Sequence, residues 1–591
     1  MPKDIRMNAR RSRYLLAAFA SAVTLAVYLP ALGNDFLNWD DGTYVVHNPH
    51  IRELGPAFFR WAFSSFYAGN WHPLTWMSHA LDYAVWGLNP MGHHLTSIAL
   101  HAANTFLVVL LCAELMEAQR ARRPAGEDAS FPDGRAAMVA AGITGILFGL
   151  HPLHVESVAW VSERKDLLCG LFFLLSTLSY LAYRSDMPPK PHKSYRAYFL
   201  SLALFILALM SKPMAVSLPA VLLILDWYPL RRIVSPGTFR DSLLGKLPFI
   251  VPGLGAAALT MAAQKGAMAT APAPAAVRAI VAAKSLLWYL GKTVVPVDLL
   301  PIYPYPGQIS LPADLLFPAA LAFLLFGACI ALRRRRRVFP AAMGYYCVTL
   351  LPVLGVVRFG NQSMADRYFY LPGLAPLLLI GLGAAWVAGK AGATRLRPAV
   401  SAAALLGVAL VIVLVYHTER QISVWKDGVT FWGYVIDREA DRVPIAYTNR
   451  GMVFGERGRF DRAIEDFTVA ISLNPADYKA YTNRGIMYLR TGRFADAGKD
   501  FTAAITRAPS YVDAYVGLGM ACERLERPAD AVESYSRALA LNPAFVAGYL
   551  SRGDVYMNTG NEERAARDYR TACAMGSEEG CSALRRLGIR R

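Results

Sequence analysis

Two patterns of hydrophobic and polar positions divide the chain. Up to about residue 420, apolar runs recur that approach the roughly 20 residues a helix needs to cross a bilayer. The last 145 or so residues contain no such run. This pattern predicts an all-α protein, with a polytopic membrane helical bundle over 1–417, a connecting helical segment over 418–445 and a second domain over 446–591.

The apolar runs predict eleven membrane spans. The first is interpreted as a retained span, because it is too long for a signal-peptide core and lacks a small-residue cleavage site. A further segment, 279–297, contains Lys284 and Lys292, each costing about 2.5–3.5 kcal/mol near a lipid-exposed helix centre, so we expect an interfacial or re-entrant helix there. The predicted spans lie near 14–32, 93–115, 136–151, 167–183, 197–211, 214–230, 247–263, 312–332, 338–357, 368–388 and 399–416.

Charge refines the topology. The chain has 61 Lys and Arg against 43 Asp and Glu, a net charge of +18 that could indicate a nucleic-acid partner. With eleven spans, however, 25 of these cations fall in segments facing the cytoplasm and 11 in the outside loops between spans. The excess therefore indicates orientation rather than nucleic-acid binding, and an odd span count places the C-terminal domain outside.

The C-terminal domain repeats every 34 residues, over 446–479, 480–513, 514–547 and 548–581. Glycine and proline recur in register, at Gly451, Gly485, Gly519 and Gly553 and at Pro475, Pro509 and Pro543. This is the tetratricopeptide pattern, which predicts an α-solenoid of helix pairs. Its concave face usually holds a peptide or a protein, although a rigid spacer that binds nothing is an alternative.

Two cysteines, Cys573 and Cys581, close the last repeat. In an oxidising compartment they could form a disulfide, and the sequence leaves the pairing open.

The long first outside loop, 34–92, contains the first candidate for chemistry, the adjacent carboxylates Asp40 and Asp41. Because two carboxylates beside a low-dielectric slab repel each other, one can have a raised pKa and accept a proton from a hydroxyl nucleophile. An Asp-Asp pair is more often a turn or a helix cap. Other polar groups expected at the same membrane face strengthen the catalytic interpretation.

These groups are carboxylates, cations and histidines at the outer ends of later spans. Carboxylates with scattered Arg and Lys beneath a lipid interface suit a phosphate-bearing lipid donor. Two alternatives stay open: His151 and His154 with Glu156 could bind a metal, or be structural histidines, and the cations could be snorkelling. The set comprises His151, His154, Glu156, Glu163, Arg164, Lys165, Asp166, Lys212, Arg358 and Arg367.

Several stretches together resemble one family. They include FLNWDD at 36–41, HPLHVESVAWVSERKDLLCGLFFLLS at 151–176, SKPMAVSLP at 211–219 and ADRYFYLP at 365–372, followed by the repeats. In this combination the chain resembles the transmembrane and tetratricopeptide-repeat-containing (TMTC-type) O-mannosyltransferases of the glycosyltransferase C superfamily. SKP stands where Ser-Lys-Glu is typical, and the array of repeats is short.

The resemblance implies transfer of a sugar, typically mannose, from a polyprenyl-phosphate carrier to a Ser or Thr hydroxyl on the outer side. It implies a general base at Asp40 or Asp41. Donor phosphate-binding residues would be Arg164, Lys165, Lys212, Arg358 and Arg367, with His151, His154, Glu156, Asp166 and Asp366 as supporting polar groups. No redox cofactor is expected, no metal ligand is assigned, and assistance by a divalent metal stays open.

The expected partners are the lipid-linked sugar donor, a protein or peptide acceptor held by the repeats, and membrane lipids. A non-catalytic membrane scaffold whose repeats recruit proteins is the main alternative, although eleven spans are excessive for an anchor. A transporter is a third, and it predicts broken helices in two symmetric halves. The many Ala, Arg and Leu residues suggest a bacterial inner membrane with the repeats in the periplasm.

Overall fold

Helices occupy the apolar runs of the membrane domain, and several begin at a proline, which is pre-organised for the first helical position. The structure, a computed structural model, describes residues 3–122, 134–185, 191–265, 274–305, 316–333, 337–354, 362–393 and 397–589. It divides the chain into two compact units, Met1–Asp427 and Gly428–Arg591. The predominance of helix confirms the all-α prediction. The helices of unit 1 are α1 Lys3–Tyr28, α2 Pro56–Ser64, α3 Pro73–Trp86, α4 Pro90–Ala121, α5 Gly134–Leu150, α6 Val155–Ala159, α7 Arg164–Ser185, α8 Pro191–Ser211, α9 Leu218–Trp227, α10 Pro236–Leu244, α11 Leu247–Ala263, α12 Ala275–Val294, α13 Phe317–Leu332, α14 Val338–Leu350, α15 Leu374–Ala393 and α16 Arg397–Val424.

Within the described residues, each predicted span overlaps an apolar helix, and parts of the predicted spans 312–332 and 338–357 lie outside those residues. Among the described residues, four helices are long and apolar enough to cross a membrane, and two bent helix pairs bring the number to six if each pair is one span. The remaining predicted spans coincide with shorter apolar helices. Unit 1 is therefore a membrane domain, and the number of crossings stays a prediction. The four long helices are Arg11–Gly33, Pro90–Ala121, Val161–Arg184 and Ala404–Val424.

Glycines bring the helices of the membrane unit close together. A Cβ on Gly149 of α5 would lie 1.9 Å from the hydroxyl oxygen of Thr24 on α1, and one on Gly145 would lie 2.2 Å from a methyl group of Val109 on α4. Neither distance is possible for real atoms. The glycines of α5 therefore allow α1 and α4 to pack directly against it.

The segment predicted as interfacial, 279–297, forms most of α12. Its Tyr289 packs in a buried cluster with Leu153 and Phe369. The only strands of the described residues follow, β1 Tyr303–Pro304 and β2 Gln362–Met364, paired antiparallel.

Unit 2 repeats its helices at the interval that the sequence predicts. Helices begin at residues 444, 478, 512 and 546, and their partners at 460, 494, 528 and 562. Aromatic rings from the second helix of each pair lie against the glycines of the first, as Phe467 does against Gly451. Cys573 and Cys581 are joined by a disulfide. The helices are α17 Gly428–Glu439, α18 Pro444–Glu456, α19 Phe460–Leu473, α20 Tyr478–Arg490, α21 Phe494–Arg507, α22 Val512–Arg524, α23 Pro528–Leu541, α24 Val546–Asn558, α25 Glu562–Ala574 and α26 Glu578–Arg586.

Candidate functional site

The first outside loop is anchored by Asp41. One oxygen of its buried carboxylate accepts hydrogen bonds from the backbone N–H of Ser162, at 2.9 Å, and from the Ser162 hydroxyl. The other accepts the backbone N–H of Leu37 at 3.0 Å. Burial raises the pKa of Asp41 to about 6, against the opposing effect of these hydrogen bonds. Both oxygens of Asp41 are therefore used to hold the loop against the segment that precedes α7.

Asp40 has different surroundings. Its side chain is half-buried, and no residue in the described ranges gives its carboxylate a hydrogen bond or an ion pair. Burial raises its pKa, Lys165 and Arg367 lower it, and Glu163 raises it further. The Asp40 carboxylate thus faces a group of charged side chains without being bonded to any of them.

The centre of that group is Glu163, whose side chain is buried. Its Oε1 lies 2.8 Å from the Lys165 ammonium and 3.4 Å from Nε of Arg367. Its Oε2 lies 3.2 Å from the Lys212 ammonium. Sequence reasoning noted this glutamate at the start of α7 but gave it no role.

Two more carboxylates complete the group. Asp166 Oδ1 lies 2.5 Å from the Lys212 ammonium, and Asp166 Oδ2 accepts the Ser157 hydroxyl at 3.2 Å. Glu156 pairs with the Arg367 guanidinium and also accepts the Arg367 backbone N–H at 2.9 Å. Three cations and three carboxylates therefore alternate, an arrangement that offsets the cost of burying charge. We refer to these six residues as the charge cluster: Glu156, Glu163, Lys165, Asp166, Lys212 and Arg367.

Aromatic rings line the cluster. The Lys165 ammonium lies 4.9 Å from the ring centre of Tyr44, and the Arg367 guanidinium 5.5 Å from that of Trp160. Trp160 in turn stacks on Trp39, with ring centres 4.3 Å apart. Cation–π contacts of this kind stabilise the cations. The aromatic residues of the first outside loop thus form one wall of the candidate site.

Arg164, one of the predicted phosphate-binding residues, points elsewhere. Its guanidinium lies 2.5 Å from Oδ2 of Asp82 on α3 and donates to the backbone carbonyl of His93 on α4 at 2.6 Å. Successive residues of a helix project in directions about 100° apart, so Arg164 and Lys165 cannot face the same group. Arg164 ties α7 to the first outside loop.

The two histidines bind the backbone. His151 contacts the Thr293 carbonyl of α12 through Nε2, at 3.2 Å, and its Nδ1 accepts the Leu153 N–H. His154 contacts the Phe148 carbonyl through Nδ1 at 2.7 Å. The described part of the chain contains no group of three His, Cys, Asp or Glu side chains placed to hold a metal ion. The histidines thus hold the turn that follows α5.

Asp366 supports the loop that carries Arg367. Its Oδ1 accepts the Tyr303 hydroxyl at 2.8 Å, and burial together with the charge of Glu156 raises its pKa. Tyr289 of α12 donates its hydroxyl to the Ala365 carbonyl at 2.7 Å. The loop is therefore fixed from two sides. The remaining predicted residue, Arg358, lies outside the described residues.

Comparisons with known proteins identify the repeats and relatives of similar sequence. A family model described as tetratricopeptide repeat matches residues 448–512, 488–544 and 516–579, which confirms the predicted repeats. Protein O-mannosyl-transferase tmtc2 of Xenopus laevis is 33% identical over 31% of this chain and 19% of its own length. Human protein O-mannosyl-transferase TMTC4 is 27% identical over 61% of this chain and 54% of its own length.

A Caenorhabditis elegans protein O-mannosyl-transferase is 24% identical over 77% of this chain and 62% of its own length. The chain is thus similar to TMTC-type proteins, as the motifs predict. Each match spans less than two thirds of the relative's own length.

Proposed function

We propose that the membrane unit transfers a sugar, mannose by analogy with its relatives, from a polyprenyl-phosphate carrier to a protein Ser or Thr hydroxyl. The observation that carries the proposal is the position of Asp40. Its carboxylate has no hydrogen bond or ion pair among the described residues, and it lies within electrostatic range of the cations Lys165 and Arg367. A base and a phosphate-binding group are the two things that this reaction requires. The names of the similar proteins support the same class of reaction.

In this proposal Asp40 is the general base. Its carboxylate takes the proton of the acceptor hydroxyl as the hydroxyl oxygen attacks the anomeric carbon, and the bond between that carbon and the phosphate oxygen breaks. Direct attack inverts the configuration at the sugar. The raised pKa of Asp40 favours proton uptake. Asp41, with both oxygens bonded, positions the loop that carries the base.

The leaving phosphate is stabilised by cations of the charge cluster. All three already face carboxylates, so the phosphate must replace one of these as a partner. The longest contact is that between Nε of Arg367 and Glu163, at 3.4 Å. We therefore assign the carrier phosphate to Arg367, with Lys165 and Lys212 beside it. Because the cations are held in place before the reaction, little reorganisation is needed when the phosphate leaves.

The test is transfer by the purified protein in liposomes that contain polyprenyl-phosphate mannose, with a Ser- and Thr-containing peptide as acceptor. Asp40→Asn should lower the rate by about 10²–10⁴-fold, the usual contribution of a general base. Asp35→Asn is the matched control, because Asp35 is an exposed carboxylate of the same loop and should be dispensable. A wild-type rate in Asp40→Asn would contradict the role of Asp40.

Whether the wild-type protein transfers sugar at all decides between an enzyme and a non-catalytic scaffold. If the wild-type protein transfers no sugar from a polyprenyl-phosphate donor while its repeats still capture proteins, the scaffold is the better account. The proposed reaction needs no redox cofactor. We expect transfer to persist in the presence of a chelator, and a loss of transfer that Mg²⁺ or Mn²⁺ restores would show that a divalent metal assists.

The repeats are modules of the kind that bind proteins, and we propose that they hold the acceptor or a partner. Following the charge of the loops, we place the candidate site and the repeats on the outer face, the periplasm if the membrane is a bacterial inner membrane. A reporter fused after Arg591 should be active outside. Cytoplasmic activity of that reporter would contradict the topology.

A further inference from the structure

A second polar group lies at the other end of α7, around the buried carboxylate of Asp226 in the last turn of α9. It pairs with the Lys246 ammonium at 2.6 Å and with the Arg232 guanidinium at 3.3 Å. The Tyr180 hydroxyl donates to the same carboxylate at 2.9 Å. About 22 Å of helix separates Tyr180 of this group from Lys165 in the first turn of α7. It is therefore distinct from the candidate sugar-transfer site.

Two more arginines join this group, and neither has an ion pair with a carboxylate of the described residues. Arg122, just past α4, donates to the backbone carbonyl of Arg184 and lies within electrostatic range of Arg232 and Asp226. Its second terminal nitrogen is buried and has no hydrogen-bond partner within the described ranges. The Arg184 side chain donates to the Tyr180 hydroxyl at 3.3 Å.

Among the described residues, Asp226 is the one carboxylate within ion-pair distance of any of these four cations, and it pairs with Arg232 and Lys246. Such an excess of positive charge is suited to an anion. We refer to the four as the basic cluster: Arg122, Arg184, Arg232 and Lys246.

An apolar cavity of about 90 Å³ lies between α4, α7, α9, α14 and α15. Its lining includes Leu115, Thr177 and Leu225, and a single amide, Gln119. Gln119 is only 7% exposed, and its side-chain oxygen has no hydrogen-bond partner in the part of the chain that the structure describes. A buried, unpartnered amide in an otherwise apolar cavity indicates a ligand with a polar part near it.

The cavity ends at the basic cluster. Gln119 lies in the last turn of α4, three residues before the capping residue Arg122, and Thr177 precedes Arg184 by seven residues along α7. Residues three and seven apart share a face of a helix, so each helix carries its cavity-lining residue and its arginine on one side. Leu225 is the immediate neighbour of Asp226. The apolar space and the cations therefore form one elongated site.

We propose that this site binds an anionic phospholipid of the bilayer. Part of one acyl chain enters the cavity, the phosphate lies among Arg122, Arg184 and Arg232, and the Gln119 amide faces the glycerol region. Charge complementarity selects the anionic headgroup, and the cavity selects a lipid over a free anion. The loops that carry these arginines are those that the charge pattern assigns to the cytoplasmic side, where anionic lipids concentrate.

Native mass spectrometry of the full-length protein in detergent tests the proposal, with phosphatidylglycerol and phosphatidylcholine as probes. Phosphatidylglycerol should bind at least about tenfold more tightly. Combining Arg122→Gln with Arg184→Gln should weaken its binding by about 10- to 30-fold, each arginine contributing about fivefold. Leu115→Trp, which fills the cavity and leaves the charges intact, should also weaken it. Arg240→Gln is the matched control, since Arg240 is highly exposed on α10 and should be neutral.

Three results would overturn the proposal. The first is equal binding of the two lipids by the wild-type protein, a comparison that depends on no variant. The second is equal loss in Arg240→Gln, which would show a general charge effect. The third is unchanged binding in Leu115→Trp together with full competition by inorganic phosphate, which would show an anion site with no place for a chain.

Discussion

The repeats and the charge cluster both rely on buried or half-buried ion pairs, but they build them differently. In the repeats, Arg450, Arg484 and Arg552 each hold one aspartate sixteen residues later through two parallel hydrogen bonds of 2.7–2.8 Å. In the charge cluster, Glu163 is shared by three cations at 2.8–3.4 Å.

A one-to-one pair of Arg and Asp satisfies both partners and gains from its fixed geometry. A shared carboxylate leaves its cations able to accept another anion. The first arrangement is suited to holding helices together, and the second to exchanging a protein carboxylate for a phosphate. The third repeat shows that the one-to-one pair is dispensable, since Leu518 and Ser534 occupy the two positions there.

The largest expected effect comes from breaking the shared arrangement. Glu163→Gln leaves two buried cations and one half-buried cation without their common partner, and we expect a loss of about 3–5 kcal/mol of stability. Chemical denaturation of the purified protein in detergent measures this loss. Glu117→Gln is the control, because Glu117 pairs with Arg13 at the surface and should cost less than about 1 kcal/mol. Similar losses in the two variants would mean that the charge cluster is as hydrated as a surface pair.

The next effect is a pH dependence that Asp41 confers on unit 1. Its pKa is about 6 in the folded protein against 3.8 ordinarily, because it is buried. Between about pH 4 and 6 the folded protein keeps a proton that the unfolded chain has lost, so stability should fall as pH rises through this window and level off above it. The fall attributable to Asp41 is about 3 kcal/mol.

Denaturation midpoints at several pH values, compared between wild type and Asp41→Asn, isolate this contribution. Asp35→Asn should keep the wild-type profile, because the Asp35 side chain is exposed. A profile of Asp41→Asn that parallels the wild type from pH 4 to 6 would show that Asp41 titrates normally.

The two regions also differ in how far the sequence predicts them. The pairs of the repeats recur with the 34-residue period, so a regular helix-pair array follows from the sequence, and the helices begin at that interval. The charge cluster joins residues as distant as Glu156 and Arg367, 211 positions apart. Only the topology and the family resemblance suggested that these would converge.

The sequence could not assign a role to each member of the site. Asp40 and Asp41 are adjacent and identical, and their difference arises because Ser162 and Leu37 happen to face the second of them. The side chains of Arg164 and Lys165 point in different directions because successive residues of α7 are rotated by about 100°. Which of the two faces the charge cluster depends on where the first turn of α7 begins. Glu163 has no distinguishing pattern, since its importance comes from three cations brought by other elements.

A smaller effect on stability is expected in the repeats, where removing a whole ion pair can be compared with removing only its carboxylate. Asp500→Ser leaves Arg484 without its carboxylate and should cost about 1–2 kcal/mol. Arg484→Leu combined with Asp500→Ser copies the third repeat and should cost less than the single change, because no charge is left unpaired. Hydrogen exchange of the α20 and α21 amides in the full chain reports the local stability. Equal costs would show that the pair contributes only packing.

The smallest effect is the converse change in the third repeat. Leu518→Arg with Ser534→Asp would install the missing pair between α22 and α23, with a gain of about 0.5 kcal/mol. The gain is small because Leu518 packs on the cluster of Cys522, Tyr535 and Val555, and its apolar contacts would be lost. Leu518→Arg alone should destabilise, since the new cation would lack a carboxylate, so the two changes should be favourable only together. Hydrogen exchange of the α22 and α23 amides measures this coupling. If the effects of the two changes were simply additive, the new arginine and aspartate would not form an ion pair.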